Sequence, residues 1–412
     1  MIKKLLLAEK LFVVIALLIF TGAWVPTLYE IISGRSAADA AEGIPAIQAF
    51  FYIIYLVTLL LICLRWKFFF YGITKGKLLL IISLIALASV LWSDVPPLTL
   101  RRSSAAFGTT LFGMYFGTRY TLKEQLHLLA WAFGIAALSS LLFTLAFPAY
   151  GIKAAHGGAW RGVFLHKNPF GMIMSTSTLV FLLVAMSSYK YRYLMWAGCG
   201  LSVSLLLLSA AKTPLVLLLT LLVLLPLYIA LRWNFSWMVL FFIVVVIVFG
   251  CLANLFIGSW ETILTVMGKD ATLTGRTGVW EAVLVMIQER PWLGYGYSGF
   301  WLGLDGASAY VLRVTGWDVP YAHNGILDLW LDLGLLGVLV YFISFLASCF
   351  RAVIWVGWTK TAYGLWPLIV LTFSLLSNLT ESTILKPNNI YWVLYVAVTL
   401  STSMWTIKDS EA

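Results

Sequence analysis

The sequence predicts an all-α polytopic membrane protein, a single integral membrane domain over residues 1–412, and three observations carry that expectation. Hydrophobic residues fill 62% of the positions and charged ones 11%, and the mean hydropathy is +0.95, which excludes a soluble core. Apolar stretches near the roughly 20-residue length of a membrane-crossing helix recur along the chain and mark about twelve spans. Basic residues gather at alternate connections, as they do when a chain is threaded back and forth with its Lys and Arg held on the cytoplasmic side.

The first span, near 10–28, follows a basic start (Lys3, Lys4, Lys10), and without a small-x-small cleavage signature it reads as a retained helix. Spans near 47–64, 78–92, 104–118 and 125–147 come next, the middle two short for a crossing. Then come 169–187, 193–209, 214–231 and 236–257, and, after a long polar interruption, 324–349, 361–378 and 389–406. With the N-terminus cytoplasmic, the cytoplasmic connections hold Arg65, Lys67, Lys75 and Lys77, then Arg119 and Lys123, Lys190 and Arg192, Arg232, Arg351 and Lys360, and Lys408. The external segments are then 29–46, 93–103, 148–168, 210–213, 258–323 and 379–388. Arg101, Arg102 and the basic residues discussed below are exceptions to the trend.

Much of the net charge of +10 is this topological excess, which sits beside anionic membrane lipids and calls for no nucleic acid partner. The four cysteines, Cys63, Cys199, Cys251 and Cys349, lie in or beside apolar spans without metal-ligand spacing. They read as small packing residues, and neither a disulfide framework nor a metal site is expected.

The 258–323 segment is far longer than an ordinary connector and is expected to be a large periplasmic loop that carries function. Inside it Val279, Ala282, Val283 and Met286 recur at helical spacing, with Thr274 as a cap and Pro291 beyond the end. That pattern reads as an amphipathic helix lying at the membrane surface. The PWLGYGYSGFW stretch after it suits irregular backbone packed at the interface.

Three of the four histidines, His156, His166 and His323, fall in the two longest external loops. Arg161, His166, Lys167 and Asn168 lie in WRGVFLHKNPFG, against the positive-inside trend, and read either as interfacial anchors or as a functional group. Arg276 sits where a helix should begin, a place at which a cation opposes the dipole, so a shared anion explains it better than helix stability does. Trp280 accompanies it, and Arg290 at the other end has an adequate reading as a dipole partner. His323 and Asn324, in AHNG, precede a long span holding Asp328 and Asp332; the histidine is suited to proton exchange, the aspartates to structural hydrogen bonds. Glu381 is a second acid–base candidate or an ion-pair partner for an arginine, and Lys212 is either a snorkelling cation or a phosphate ligand.

Several cations and a titratable histidine on one face, without a carboxylate cage for a metal, suit a lipid-linked pyrophosphate. The implied reaction is its displacement by an acceptor hydroxyl, with no metal or other cofactor. At RGVFLHKNPFG, GRTGVWEAVLVMIQERPWLGYGYSGFW and AHNGILDLWLDLGLLGVLVYF the chain resembles the O-antigen ligase and Wzy-type polymerase superfamily of bacterial envelope glycosyltransferases. The resemblance implies a GT-C-like fold, a site on the periplasmic face of the inner membrane, an undecaprenyl-pyrophosphate-linked oligosaccharide donor and a glycan or lipid-linked acceptor. It also implies Arg161, Arg276 and His323 as principal residues, while His166, Lys167, Asn168, Lys212, Trp280, Arg290, Asn324 and Glu381 are the residues expected from the sequence pattern to bind substrate. Lys212 departs from the family's usual arginine. LWSDVPPLTLRR, from Leu91 to Arg102, resembles the exopolysaccharide polymerase branch, with a ligase joining glycan to lipid A-core as the alternative. A lipid-linked glycan transporter is the reading from another class, but it should show matching broken helices in both halves.

Overall fold

A computed structural model describes residues 2–33, 45–153, 157–187, 190–233, 236–239, 276–317 and 319–404. The chain begins with α1 (Ile2–Phe20) and α2 (Val25–Ser33). The span expected at 10–28 is therefore displaced: Gly22 and Trp24 take φ of 78° and 68°, conformations no α-helix continues through, and Trp24 N donates to Val163 O at 2.9 Å instead.

α3 (Pro45–Leu64), α4 (Trp66–Lys75) and α5 (Lys77–Ala88) follow, the last prolonged by a 3₁₀ turn over Ser89–Leu91. α4 and α5 meet at 88° across Gly76, where a Cβ would stand 2.6 Å from Leu400. α6 (Pro96–Arg119) starts on a Pro pair suited to a first turn, and α7 (Leu122–Ala146) on a capping box between Thr121 and Glu124. α8 (Pro148–Gly151) is one turn leading into a two-stranded ribbon, β1 (Ile152–Lys153) antiparallel to β2 (Ala159–Trp160). α9 (Lys167–Ser187), α10 (Arg192–Leu208) and α11 (Lys212–Ala230) complete the first part; the span expected at 236–257 and His156, Cys251 and Thr274 lie outside the described residues. α12 (Arg276–Glu289), α13 (Ala309–Thr315), α14 (Gly325–Trp358), α15 (Trp366–Ser377) and α16 (Ile390–Met404) follow.

The protein is thus an all-α polytopic membrane protein. Five helices, within α3, α7, α9, α11 and α14, are long and apolar enough to cross a bilayer, and the bent α4–α5 pair makes a sixth if it is one broken span. The remaining expected spans are shorter, as α10, α15 and α16 are, or carry more charge, as α1 and α6 do. Packing compensates for that polarity. Gly113 and Gly117 of α6 form a GxxxG pair against α16, and a Cβ at Gly117 would meet Ala397 O at 2.7 Å, so the two backbones nearly touch. Hydroxyls inside the bundle bond carbonyls one turn back, as Thr110 and Thr178 do, so little polarity is left bare.

The bundle has two chemically distinct ends. At one, buried Glu9 accepts from Arg65 (2.8 Å), Arg119 (2.9 Å) and Tyr115 (2.6 Å), while Arg232 closes on the carbonyls of Lys360 and Thr361. Lys10 joins the same group through Glu124 at 3.7 Å. The opposite end carries the Trp24 turn, residues 148–153 and 157–166, the Ser209–Ala211 turn, residues 291–317 and 319–324, and the 378–389 connection.

α12 buries Val279, Ala282, Val283, Met286 and Ile287, the spacing expected of it. Its partners correct the surface-helix reading, because these side chains pack with Tyr295, Phe300, Val311, Val319, Ala322 and Leu331 into a small second core capping α14. α14 is broken at Gly334 (φ 63°). There the loop supplies what the helix lacks: Leu335 N donates to Pro291 O (2.8 Å), Leu336 N to Trp292 O (3.3 Å), and Tyr295 N to Leu331 O (2.7 Å).

Candidate active site

The α12 core and the start of α14 fix a short segment, Tyr321–Asn324, from both sides. Trp280 Nε1 donates to Ala322 O at 2.9 Å, and Ala322 N donates to Asp328 Oδ1 at 3.0 Å. Asn324 caps α14 by accepting from Ile326 N and Leu327 N, and Gly325 N donates to Asn378 O at 2.9 Å. Between these clamps His323 is held at φ 51°, a left-handed conformation that costs energy in any residue with a Cβ and persists only where the surroundings enforce it.

The His323 ring lies 4.2 Å from the Tyr321 ring and 6.4 Å from that of Trp317. Its Nδ1 is buried and has no hydrogen-bond partner among the described residues. Burial, then the positive charges of Arg276 and Lys386, push its pKa down to about 4, so the imidazole is neutral at physiological pH. Tyr321 donates to Glu381 Oε2 at 3.0 Å, while Lys386 Nζ sits 5.3 Å from its ring. Burial first, and Glu381 second, raise the phenol far above its ordinary value.

Arg276, the first residue of α12, makes no hydrogen bond or ion pair with a described residue, yet its charge reaches both His323 and Tyr321. Glu381 is not the arginine partner expected of it: its carboxylate accepts from Tyr321. Asp328 and Asp332 are the structural groups expected. Asp328 accepts from Trp301 Nε1 (2.8 Å), Ala322 N and the Ser382 hydroxyl, and Asp332 accepts from Ser298 N (2.9 Å). Asn324 is likewise occupied as a cap, which removes its carboxamide oxygen from substrate duty.

Arg161 requires the largest correction. It is 6% exposed, with Nε donating to Tyr150 O (2.7 Å), Nη1 to Leu165 O (3.0 Å) and Nη2 to Glu30 (3.0 Å). A guanidinium engaged on three sides by protein acceptors braces the chain entering α9 and presents no open fork to a pyrophosphate. His166, Lys167 and Asn168 lie at that entrance, partly or fully exposed, and Lys212 is exposed at the start of α11. These two helix starts adjoin, since a Cβ at Gly171 would touch Ala211 and Pro214 at about 3 Å. Arg290 pairs with Asp94 (3.0 Å) and covers the Tyr295 ring, tying the loop to the Ser93 turn rather than facing His323.

The structure therefore joins Arg276, Trp280, His323 and Glu381, and adds Tyr321 and Lys386, which the sequence did not single out. Lys386 follows Glu381 by five positions in an irregular connection, where no periodicity points at it. Among the described residues no three His, Cys, Asp or Glu side chains converge as a metal site would require. What converges is a neutral imidazole, two cations and a carboxylate, a set able to hold an anion beside a hydroxyl.

Residues 197–342 match the family model described as O-antigen ligase. That segment includes Lys212, Arg276, Trp280, Arg290, His323 and Asn324, whereas Arg161, His166, Lys167, Asn168 and Glu381 lie outside it. Over 102 residues the chain is 30% identical to the exopolysaccharide production protein ExoQ of Rhizobium meliloti (strain 1021), a stretch that is 23% of this chain and 23% of that protein. Residues 197–342 are thus similar to the O-antigen ligase family, and the matched stretch spans about a quarter of the length of the exopolysaccharide production protein.

Proposed function

We propose that this protein transfers an undecaprenyl-pyrophosphate-linked oligosaccharide to an acceptor hydroxyl at the periplasmic face of a bacterial inner membrane, polymerising exopolysaccharide or O-antigen repeat units. In this reading the bundle crosses the membrane about twelve times, with residues 258–323 as a periplasmic loop. The observation that carries it is the clamped His323, whose buried Nδ1 has no partner among the described residues and whose ring lies against Tyr321, itself joined to Glu381 and Lys386. The two cations, Arg276 and Lys386, hold the donor pyrophosphate and stabilise its negative charge as the bond from the anomeric carbon to phosphate oxygen breaks. The acceptor oxygen forms the new bond to that carbon, and its proton passes to His323, directly or as the imidazole orients it. Trp280 and the rings around His323 offer faces for the sugars, and Glu381 holds Tyr321 in place.

His166, Lys167, Asn168 and Lys212 form a second polar group at the same end, suited to the lipid phosphate or the acceptor. Metal ions and other cofactors have no part in the reaction as proposed. The similarity to an exopolysaccharide production protein supports a role in making an envelope polysaccharide, and a ligase would differ in acceptor alone. Purified protein supplied with lipid-linked repeat tests the chemistry: His323→Ala should lower turnover by roughly 10²–10⁴-fold, the range for a lost general base, with donor binding kept. Loss of donor binding with normal turnover of what remains bound would make the imidazole a phosphate ligand instead. Glycan analysis of a deletion strain should show lipid-linked single repeats and no polymer; uncapped lipid A-core would mark a ligase.

A further inference from the structure

The far end of the bundle carries a second cationic site, unconnected with the His323 cluster. Where α4 turns into α5, a hollow of about 150 Å³ is lined by Lys75 and Lys77 on either side of Gly76, Arg351 of α14, and the hydroxyl residues Thr74, Ser344 and Thr399. Among the described residues no carboxylate lines it, so three basic residues line one small space with no acidic one beside them. The contrast with the neighbouring Glu9 cluster is informative, because there a buried carboxylate is bonded to both arginines. Arg351 is the group most in need of a partner. One Nη donates to Ser348 Oγ at 3.3 Å, but its Nε is buried and has no hydrogen-bond partner among the described residues. A buried donor of this kind destabilises the fold until an acceptor reaches it.

The surroundings select the acceptor. α4 stands at 88° to α5, as a helix lying in the membrane plane stands to one crossing it. It exposes Trp66, Phe70 and Tyr71 alongside Lys67 and Lys75, the aromatic and basic mixture of a headgroup-level helix. Gly76 keeps the elbow close against Leu400 and so holds both lysines at the mouth of the hollow. We propose that this hollow binds the phosphate of an anionic membrane lipid, with Arg351 as the inner ligand, Lys75 and Lys77 closing over it, and the acyl chains running beside α5. Basic hollows between membrane helices recognise anionic headgroups by the same chemistry.

The test is lipid retention by the full-length protein, read by native mass spectrometry after purification from bilayers of equal phosphatidylglycerol and phosphatidylcholine. Phosphatidylglycerol should be retained selectively, and each of Lys75→Gln and Lys77→Gln should weaken retention about fivefold, the weight of one cation at an anionic surface. Arg351→Gln should abolish retention, and Arg351→Lys should restore part of it, which separates loss of a ligand from loss of fold. Equal retention of phosphatidylcholine, or full retention by the Lys75→Gln/Lys77→Gln double variant, overturns the proposal. Displacement of the lipid by millimolar inorganic phosphate would make the hollow a free-phosphate site and overturn it as well.

Discussion

His323 sits in a conformation its side chain does not favour, with a proton affinity well below that of a free imidazole, and both features come from its neighbours. With the pKa pushed down to about 4, below the ordinary value of roughly 6.5, the unfolded chain takes up a proton first as pH falls. The stability tied to this group is therefore intact above about pH 6.5 and is lost on acidification from there towards pH 4. Donor binding should change the titration, because a pyrophosphate offsets the two cations that repel the proton. The acid limb of kcat should consequently lie at higher pH than that of kcat/KM, and Lys386→Gln should move the kcat/KM limb upward; pH–rate profiles of both enzymes check this. Arg161 invites a different experiment. If it braces the chain against Glu30, Arg161→Ala should cost about 1–3 kcal/mol by leaving a half-buried carboxylate and two carbonyls without their donor, and Glu30→Gln added to it should recover part of the loss. Thermal unfolding in detergent reads the difference, and a defect in donor use at unchanged stability would return Arg161 to the donor site.

At the level of elements, close backbone contact sets the strongest constraints. Gly117→Val should separate α6 from α16 and reduce stability by roughly 1–3 kcal/mol, the scale of overpacking a tight contact, measured as a lower unfolding temperature. Most of these elements were legible in the sequence, because long apolar runs bounded by basic connections leave few alternatives; α3, α7, α9, α10 and α11 begin and end within about three residues of expectation. α12 was legible as a helix from Val279, Ala282, Val283 and Met286, but not its partner, since apolar spacing shows which face is buried and not what covers it. Of the candidate site, Arg276 was readable as a cation opposing the helix dipole and His323 as a titratable group where a polar loop meets a long span. The occupation of Arg161 by Tyr150, Leu165 and Glu30 was not, because those acceptors are two carbonyls and a carboxylate 131 positions away. Tyr321 stands two residues before His323 in a stretch without periodicity to single it out, and Lys386 reaches its ring only through folding of the 378–389 connection.

For the molecule as a whole, the separation of the two ends is the property to test. Thiols introduced at Asn168 and Asp305, in a background without the native cysteines, should both react with an impermeant maleimide added outside intact cells, whereas one at Lys75 should react only after permeabilisation. Labelling of Asn168 or Asp305 alone would break the site into two faces. Activity of the purified chain should persist in excess chelator, and its recovery only on adding Mg²⁺ would refute metal-free transfer. The break at Gly334 bears on how the whole machine moves. Pro291 and Trp292 act as a chock in the gap of α14, so swinging the loop aside would strand main-chain groups at about 1–3 kcal/mol apiece. The joint therefore favours a loop that stays seated on the broken helix over one that swings free of it.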